Sequence, residues 1–531
     1  MIARTLVVVL LAAASLQAQV SFDRILHGEK EPHNWLSYSG TLLNQRHSLL
    51  TQITPANVKN LQQQWIWQAA SLEKFEATPL VVDGIMYTVE APNTVVALDA
   101  VTGRPFWSFK YTPAPEGRPC CGRVNRGVAI LGDTLFMGTI DAHLVAIDAK
   151  SGKQIWNTEV ARAADRYSIT HSPTVVKDKV IVGTGGGDGP IRGFIAAFDA
   201  KTGKEAWRFY TIPGPGEPGN DSWSGNSWQT GGVGVWNAGA YDADSNLVYF
   251  GTGNPAPDWD GSKRLGDNLY SDSVVALDAD TGKLKWHYQF TPHDELDYDA
   301  TQVPVLADIE WQGKPRKVML WANRNGVMYV LDRTTGEFLK GKPYVKTNWL
   351  DGFDAKGRPN RVKFPTKEGT LIQPHVHGAT NWAPPSFSPR TGLFYVATWE
   401  DSGTVAVEGA FPRAAPTGQT AMGQTALVPF YNKSNEAHGV VRAFDPKTLD
   451  MKWEFTMTDI TWGGVLSTAT DLVFSGGRDG YFFALDGRTG ALLWKAGVGG
   501  QVNAGPMSYA VNGKQYIAIA AGNAVFAYAL P

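Results

Sequence analysis

Residues 97–107 read ALDAVTGRPFW, and the phrase returns along the whole chain. It recurs as AIDAKSGKQIW (146–156), AFDAKTGKEAW (197–207), ALDADTGKLKW (276–286), VLDRTTGEFL (330–339), AFDPKTLDMKW (443–453) and ALDGRTGALLW (484–494). The fifth copy lacks the tryptophan and the sixth lacks the glycine. Copy ends are separated by 49, 51, 79, 53, 114 and 41 residues. Alternating apolar residues before the aspartate read as a strand. Asp-x-x-Thr-Gly reads as a tight turn in which glycine supplies a positive φ. The second strand ends in a tryptophan that can pack on a neighbouring unit. Between copies lie further strand signals, such as TPLVVDGIMYTV (78–89) and SPTVVKDKVIVGT (172–184).

Four strands per repeat at this period predict an all-β chain, a β-propeller with tryptophan-docking motifs. No segment sustains a helical period over twelve residues. An eighth unit is expected to be split. NAVFAYALP (523–531) resembles the start of a repeat and NLQQQWIW (60–67) its tryptophan-bearing end. Pairing them closes an eight-bladed ring and removes its open edge. The long intervals 208–286 and 340–453 then hold insertions on one face, where function concentrates. Residues 401–439, rich in Gly, Ala, Thr and Pro, read as loop.

The chain begins MIARTLVVVLLAAASLQAQ. A basic residue, a short apolar run and small residues make a secretory signal peptide, with cleavage expected after Ala18. Residues 19–531 then form one exported domain in an oxidising compartment, with no membrane anchor. A formal net charge of −2 gives no electrostatic footprint for nucleic acid.

Both cysteines of the chain are adjacent, in PCCGRVNRG (119–127). Neighbouring Cα atoms are about 3.8 Å apart, shorter than an ordinary disulfide wants, so a bond here cannot staple distant segments. A reduced pair and a strained, functional disulfide both remain open on the residues alone; export favours the disulfide.

Several stretches add to the repeat: CCGRVNRG (120–127), YFGTGNPAP (249–257), TPHDELDYD (291–299), ANRNG (322–326), ATNWAPPS (379–386) and TWGG (461–464). In this order on this repeat, the chain resembles the pyrroloquinoline quinone (PQQ)-dependent alcohol dehydrogenases, the methanol dehydrogenase-like quinoproteins, over essentially all of its mature length. That resemblance implies a Cys120–Cys121 disulfide against one face of PQQ and Trp236 against the other. It implies that Arg126 meets a PQQ carboxylate and that Glu76, Thr170, Gly185, Gly186, Asn381 and Trp462 complete the cofactor contacts. It also implies Asp297 as catalytic base and Arg324 beside the quinone oxygens. The metal ligands would be Asp188, Asn254, Asp297 and Asp299. Asp188 stands where the family has glutamate, one methylene longer.

Asp299 follows Asp297 by two, so strand alternation would place both on one side. The calcium-dependent methanol enzymes lack a carboxylate at Asp299, whereas the lanthanide-dependent ones have it. An extra carboxylate suits a higher charge and coordination number, so the reading prefers a lanthanide, with calcium as the alternative. The implied reaction is hydride transfer from a primary alcohol to PQQ, giving an aldehyde. With no CxxCH haem site in the chain, electrons would pass to a separate soluble cytochrome c in the periplasm. The resemblance is compatible with a homodimer. Trp259 and Leu296 point to a pocket reshaped relative to the methanol enzymes. Two rivals share the fold: a non-catalytic scaffold of the outer-membrane assembly type, and a quinoprotein for sugars or polyols. Cys120–Cys121, Asp297 and Arg324 together speak against the scaffold.

Overall fold

The computed structural model describes residues 20–406, 428–430 and 437–531. The expected export signal, 1–18, lies outside the described residues. Eight antiparallel sheets follow one another around a ring. The first runs Leu80–Val82, Ile85–Glu90, Thr94–Asp99 and Pro105–Lys110, each strand beside the next. The fourth (Ala240–Asp242, Leu247–Gly251, Ser273–Asp278, Leu284–Gln289) and fifth (Val305–Trp311, Lys314–Ala322, Val327–Asp332, Phe338–Pro343) repeat the pattern. Third strands are apolar and almost wholly buried, as in Ser273–Asp278; fourth strands alternate, as in Pro105–Lys110. The third strand is therefore interior to the ring, and the fourth is the blade's half-solvated rim.

The eighth blade closes as the sequence implies. Gln62–Gln68 pairs antiparallel with Ala524–Ala529, beside Lys514–Ala521 and Met507–Val511. One addition was not read from sequence: His47–Ser48 joins the seventh blade as a parallel fifth strand. The 401–439 stretch is not wholly loop. Gly403–Ala406 pairs with Thr370–Ile372 and with Val428–Phe430 in a small separate sheet; residues 407–427 and 431–436 lie outside the described residues. Val405, Thr404 and Thr370 supply β-branched residues that offset the local Gly and Ala bias.

The docking reading acquires a concrete form. A Cβ added to Gly103, Gly152, Gly203, Gly282, Gly336 or Gly490 would lie 2.5–2.8 Å from the indole of Trp65, Trp107, Trp156, Trp207, Trp286 or Trp453 respectively. Each of these glycines has φ between +69° and +77°. So each turn of one blade is pressed flat against the tryptophan of the blade before, which only glycine permits. The indole nitrogens of Trp65, Trp107, Trp156 and Trp207 donate to the carbonyls of Ala100, Ala149, Ala200 and Ala279. The two defective copies explain each other. Where Lys340 stands in the tryptophan's place, opposite Val330, the next turn carries Leu449 instead of glycine, at φ 58°. With no indole to lie flat, that turn has room for a side chain.

In such a meander, connections from strand two to three and from blade to blade emerge on one face; the docking turns occupy the other. The first set of connections holds 119–127, 184–193, 252–272, 290–304, 323–326, 374–385 and 457–465. Every singled-out motif therefore reaches one mouth of the ring.

Candidate functional site

A cavity of about 250 Å³ opens at that mouth. It is lined by Glu76, Cys120, Cys121, Arg126, Thr170, Gly185, Gly186, Asp188, Trp236, Asn254, Asp297, Asp299, Arg324, Asn381 and Trp462. All fifteen sequence-predicted site residues thus meet, drawn from loops spread over nearly 400 positions.

One wall is a layered arrangement of aromatic and cationic groups. The Arg126 guanidinium lies 5.1 Å from the Trp236 ring and 5.7 Å from Trp382. Trp382 stacks on Trp462 at 4.6 Å between ring centroids, nearly parallel. Arg126 pairs with Glu76 at 2.7 Å and donates to the Thr170 hydroxyl at 3.2 Å. Its Nε is buried without a partner, as an arginine awaiting an anion would be. Burial raises the Glu76 pKa, and Arg126 opposes the rise. Asn381 donates its amide to the His377 carbonyl at 3.0 Å. Flat aromatic and cationic surfaces with polar groups at their margin fit a planar, polycarboxylate cofactor.

Cys120 and Cys121 are exposed to the cavity with their sulfurs 2.6 Å apart, and the two are not joined in this structure. The hydrogen bond between them raises Cys120 and lowers Cys121.

The opposite end is acidic. Arg324 donates through Nη2 to Asp297 at 2.8 Å and through Nη1 to Asp299 at 2.6 Å. Burial works against the Arg324 charge, but Asp297 and Asp299 outweigh it and its pKa rises. Burial pushes Asp299 up to about 6 despite Arg324. Burial likewise carries Asp297 well above the usual carboxylate range, with Arg324 opposing and Asp299, Asp258 and Asp188 adding. Asp297 Oδ1 is buried with no hydrogen-bond partner. The oxygens of Asp188, Asp297 and Asp299 do not converge on a point. Among the described residues, the acidic or histidine groups whose ligand atoms lie within 4.8 Å of one another are Glu31, His33 and Asp83, far from this mouth. Arg324 bridges Asp297 and Asp299, donating to both. The carboxylates, the Asn254 amide and the orphaned Asp297 oxygen form an oxygen-rich donor set, which suits a hard cation.

Strand alternation is not what unites Asp297 and Asp299. Residues 292–304 form no strand, and Asp297 has φ 56°, in the left-handed region. Asp294 shapes the loop by accepting from the backbone of Leu296 and Tyr298. The Asp299 carboxylate instead docks under the neighbouring loop, accepting from the Asn254 backbone at 2.9 Å. A Cβ at Gly253 would meet that oxygen at 2.5 Å, so glycine is needed there. Trp259 and Leu296 are buried behind the lining rather than in it.

Sequence reasoning missed several lining or supporting residues. Lys74, His377 and Trp382 line the cavity. Burial, with Arg324 and Lys74 adding, lowers the His377 pKa to about 4, so a neutral imidazole faces the cavity at physiological pH. Arg264, fully buried, ties the 257–258 turn to Asn268 and to the Asp294 carbonyl. Asp258 accepts from the Asn254 side chain.

Comparison with known proteins now gives this geometry a family. The description "PQQ: Glucose/ethanol/alcohol dehydrogenase, beta-propeller domain" matches residues 35–341 and 457–517. Quinohemoprotein alcohol dehydrogenase ADH-IIG of Pseudomonas putida is 40% identical over 96% of this chain and 75% of its own. A 1-butanol dehydrogenase (cytochrome c) of Thauera butanivorans is 38% identical over 92% of this chain and 74% of its own. A europium-containing methanol dehydrogenase superimposes with a TM-score of 0.87 at 30% identity, covering 96% of this chain and 100% of that one. No described helix is long and apolar enough to cross a membrane. The chain belongs to the PQQ-dependent alcohol dehydrogenase family of eight-bladed β-propeller quinoproteins.

Proposed function

We propose that the protein oxidises a primary alcohol to an aldehyde with Asp297 as the base that removes the hydroxyl proton. The observation that carries this is the asymmetry of Asp297. One oxygen is held by Arg324; the other is buried and unpartnered, on a residue that lines the cavity. A base so fixed has one lone-pair edge left for a substrate hydroxyl, and its raised pKa moves it toward neutrality, where proton transfer is efficient.

PQQ, when bound, supplies the hydride acceptor. Arg126, with Glu76 and Thr170 behind it, would hold a carboxylate of the cofactor. Trp236 and the Cys120–Cys121 pair, joined as a disulfide, would flank its plane. Gly185, Gly186, Asn381 and Trp462 would complete its border. Arg324 would donate to developing negative charge on the cofactor's oxygens. Asp188, Asn254, Asp297 and Asp299 would hold a cation, whose chemistry is that of a Lewis acid. A lanthanide is preferred over calcium because Asp299 adds a carboxylate to the set, and the europium-containing neighbour is consistent with it. A cytochrome c is proposed as electron acceptor, supported by the name of the Thauera relative. The apolar leader at residues 1–18 supports export to the periplasm, with 19–531 as the mature domain.

The test is dye-linked oxidation of ethanol and methanol by PQQ-reconstituted protein with lanthanum, with calcium and with neither. Activity with lanthanum alone is expected. Activity with calcium alone discards the lanthanide. No activity under any condition, with no PQQ bound, overturns the reading.

A further inference from the structure

We infer that Asp258 is a positioning residue that fixes the Asn254 side-chain amide with its oxygen turned toward the cation. The inference rests on the proposed cation site and adds a residue outside it.

Asn254 and Asp258 bracket the turn that interrupts the fourth blade between its second and third strands, and each is only 1% exposed. Asn254 Nδ2 donates to Asp258 Oδ1 at 2.8 Å and, more distantly, to the Pro255 carbonyl at 3.4 Å. The Asn254 backbone is fixed independently by Asp299 at 2.9 Å. An asparagine amide has two faces of nearly equal shape, one donating and one accepting. A cation tolerates only the accepting face. With Nδ2 directed at Asp258, the oxygen is left for the cavity that Asn254 lines. Without Asp258 the amide could rotate and turn its hydrogens on the cation.

Asp258 is itself held. Arg264 donates to the Pro257 carbonyl from Nε at 3.2 Å and Nη2 at 3.0 Å, and to the Asp258 carbonyl at 3.3 Å. The same guanidinium donates to Asn268 Oδ1 at 2.9 Å. The lock therefore stands on a buried arginine that is not itself part of the cavity lining. Partners behind a ligand that fix its orientation commonly change metal affinity by about 10–100-fold when removed.

The experiment uses PQQ-reconstituted, metal-depleted protein titrated with Eu³⁺. Luminescence gives affinity, and lifetimes in H₂O against D₂O give the number of bound waters. D258A is expected to weaken Eu³⁺ about 10–100-fold and to admit extra water. D258N keeps an oxygen facing Nδ2 and should stay near the wild-type value on both readouts. D258L, without an acceptor but of similar bulk, carries the D258A prediction if D258A melts early. Wild-type behaviour in D258A and D258L overturns the inference. So does a loss in D258N as large as in D258A, because charge rather than orientation would then be at work. N254A separates the two readings: if it binds Eu³⁺ as wild type does, Asn254 is not a ligand and the lock is overturned, whereas failure of the wild-type protein itself to bind Eu³⁺ overturns the cation site.

Discussion

Arg324 reaches Asp299 at 2.6 Å, and both side chains are less than a tenth exposed. This is a fully desolvated ion pair, and breaking one side of such a pair is far costlier than losing a surface pair. Because the second amino group of Arg324 holds Asp297 at 2.8 Å, one cation aligns both carboxylates that the chemistry is proposed to use.

Asp297→Asn keeps the shape of the loop and removes the base. PQQ content, read from absorbance of the purified protein, should be unchanged. kcat should fall by about 10²–10⁴, the usual worth of a positioned general base. Retained turnover would refute the assignment.

Asp299→Ala removes one carboxylate of the cation set and frees one arm of Arg324. Lanthanide-supported activity should vanish while PQQ remains bound. Unchanged activity with lanthanum would remove Asp299 from the metal site.

Asp272 predicts a pH effect on stability. It is fully buried, and neither carboxylate oxygen has a hydrogen-bond partner. Burial, then Asp294 and Asp299, raise its pKa well above 3.8. The folded state therefore holds a proton that the unfolded state releases as pH passes about 4, so stability falls from there up to the raised folded value. Asp272→Asn is a neutral isostere. Its melting temperature should match wild type near pH 4 and exceed it increasingly toward pH 8. A constant gap across that range would contradict the account.

The blade contacts are testable in pairs. Trp207→Ala should cost about 3–5 kcal/mol, as for other buried large aromatics. Gly282→Ala, at φ 69° and with 2.5 Å to the Trp207 ring, should also destabilise. In the Trp207→Ala background the glycine substitution should cost less, since only the φ penalty remains. Additive losses in denaturant melts would show that the two do not act through the same contact.

The ring was legible because its unit repeats. Asp-x-x-Thr-Gly and its tryptophan carry both the local turn and the contact to the next blade, so periodicity alone predicts closure. The site was legible only through resemblance: Glu76, Thr170 and Asn381 are ordinary residues whose meeting depends on loops far apart in sequence. Asp297 and Asp299 were expected together for the wrong physical reason, since a left-handed residue and the Gly253 approach unite them rather than a strand. Asp258 and Arg264 were opaque because a buried polar residue in an irregular loop leaves no periodic trace. His47–Ser48 was opaque because two residues are too few to show a pattern.

Gln62–Gln68 waits for Ala524–Ala529 to pair with it. Translation proceeds from the amino end, so Gln62–Gln68 is made long before Ala524–Ala529, and until that partner emerges the growing polypeptide carries an unmatched edge. Ala524–Ala529 lies between Gln62–Gln68 and Lys514–Ala521. A chain cut before Ala524 would lack the strand that joins Gln62–Gln68 to Lys514–Ala521 and leave the ring open. A frameshift just upstream of Ala524 should therefore be as damaging as one near the middle of the propeller.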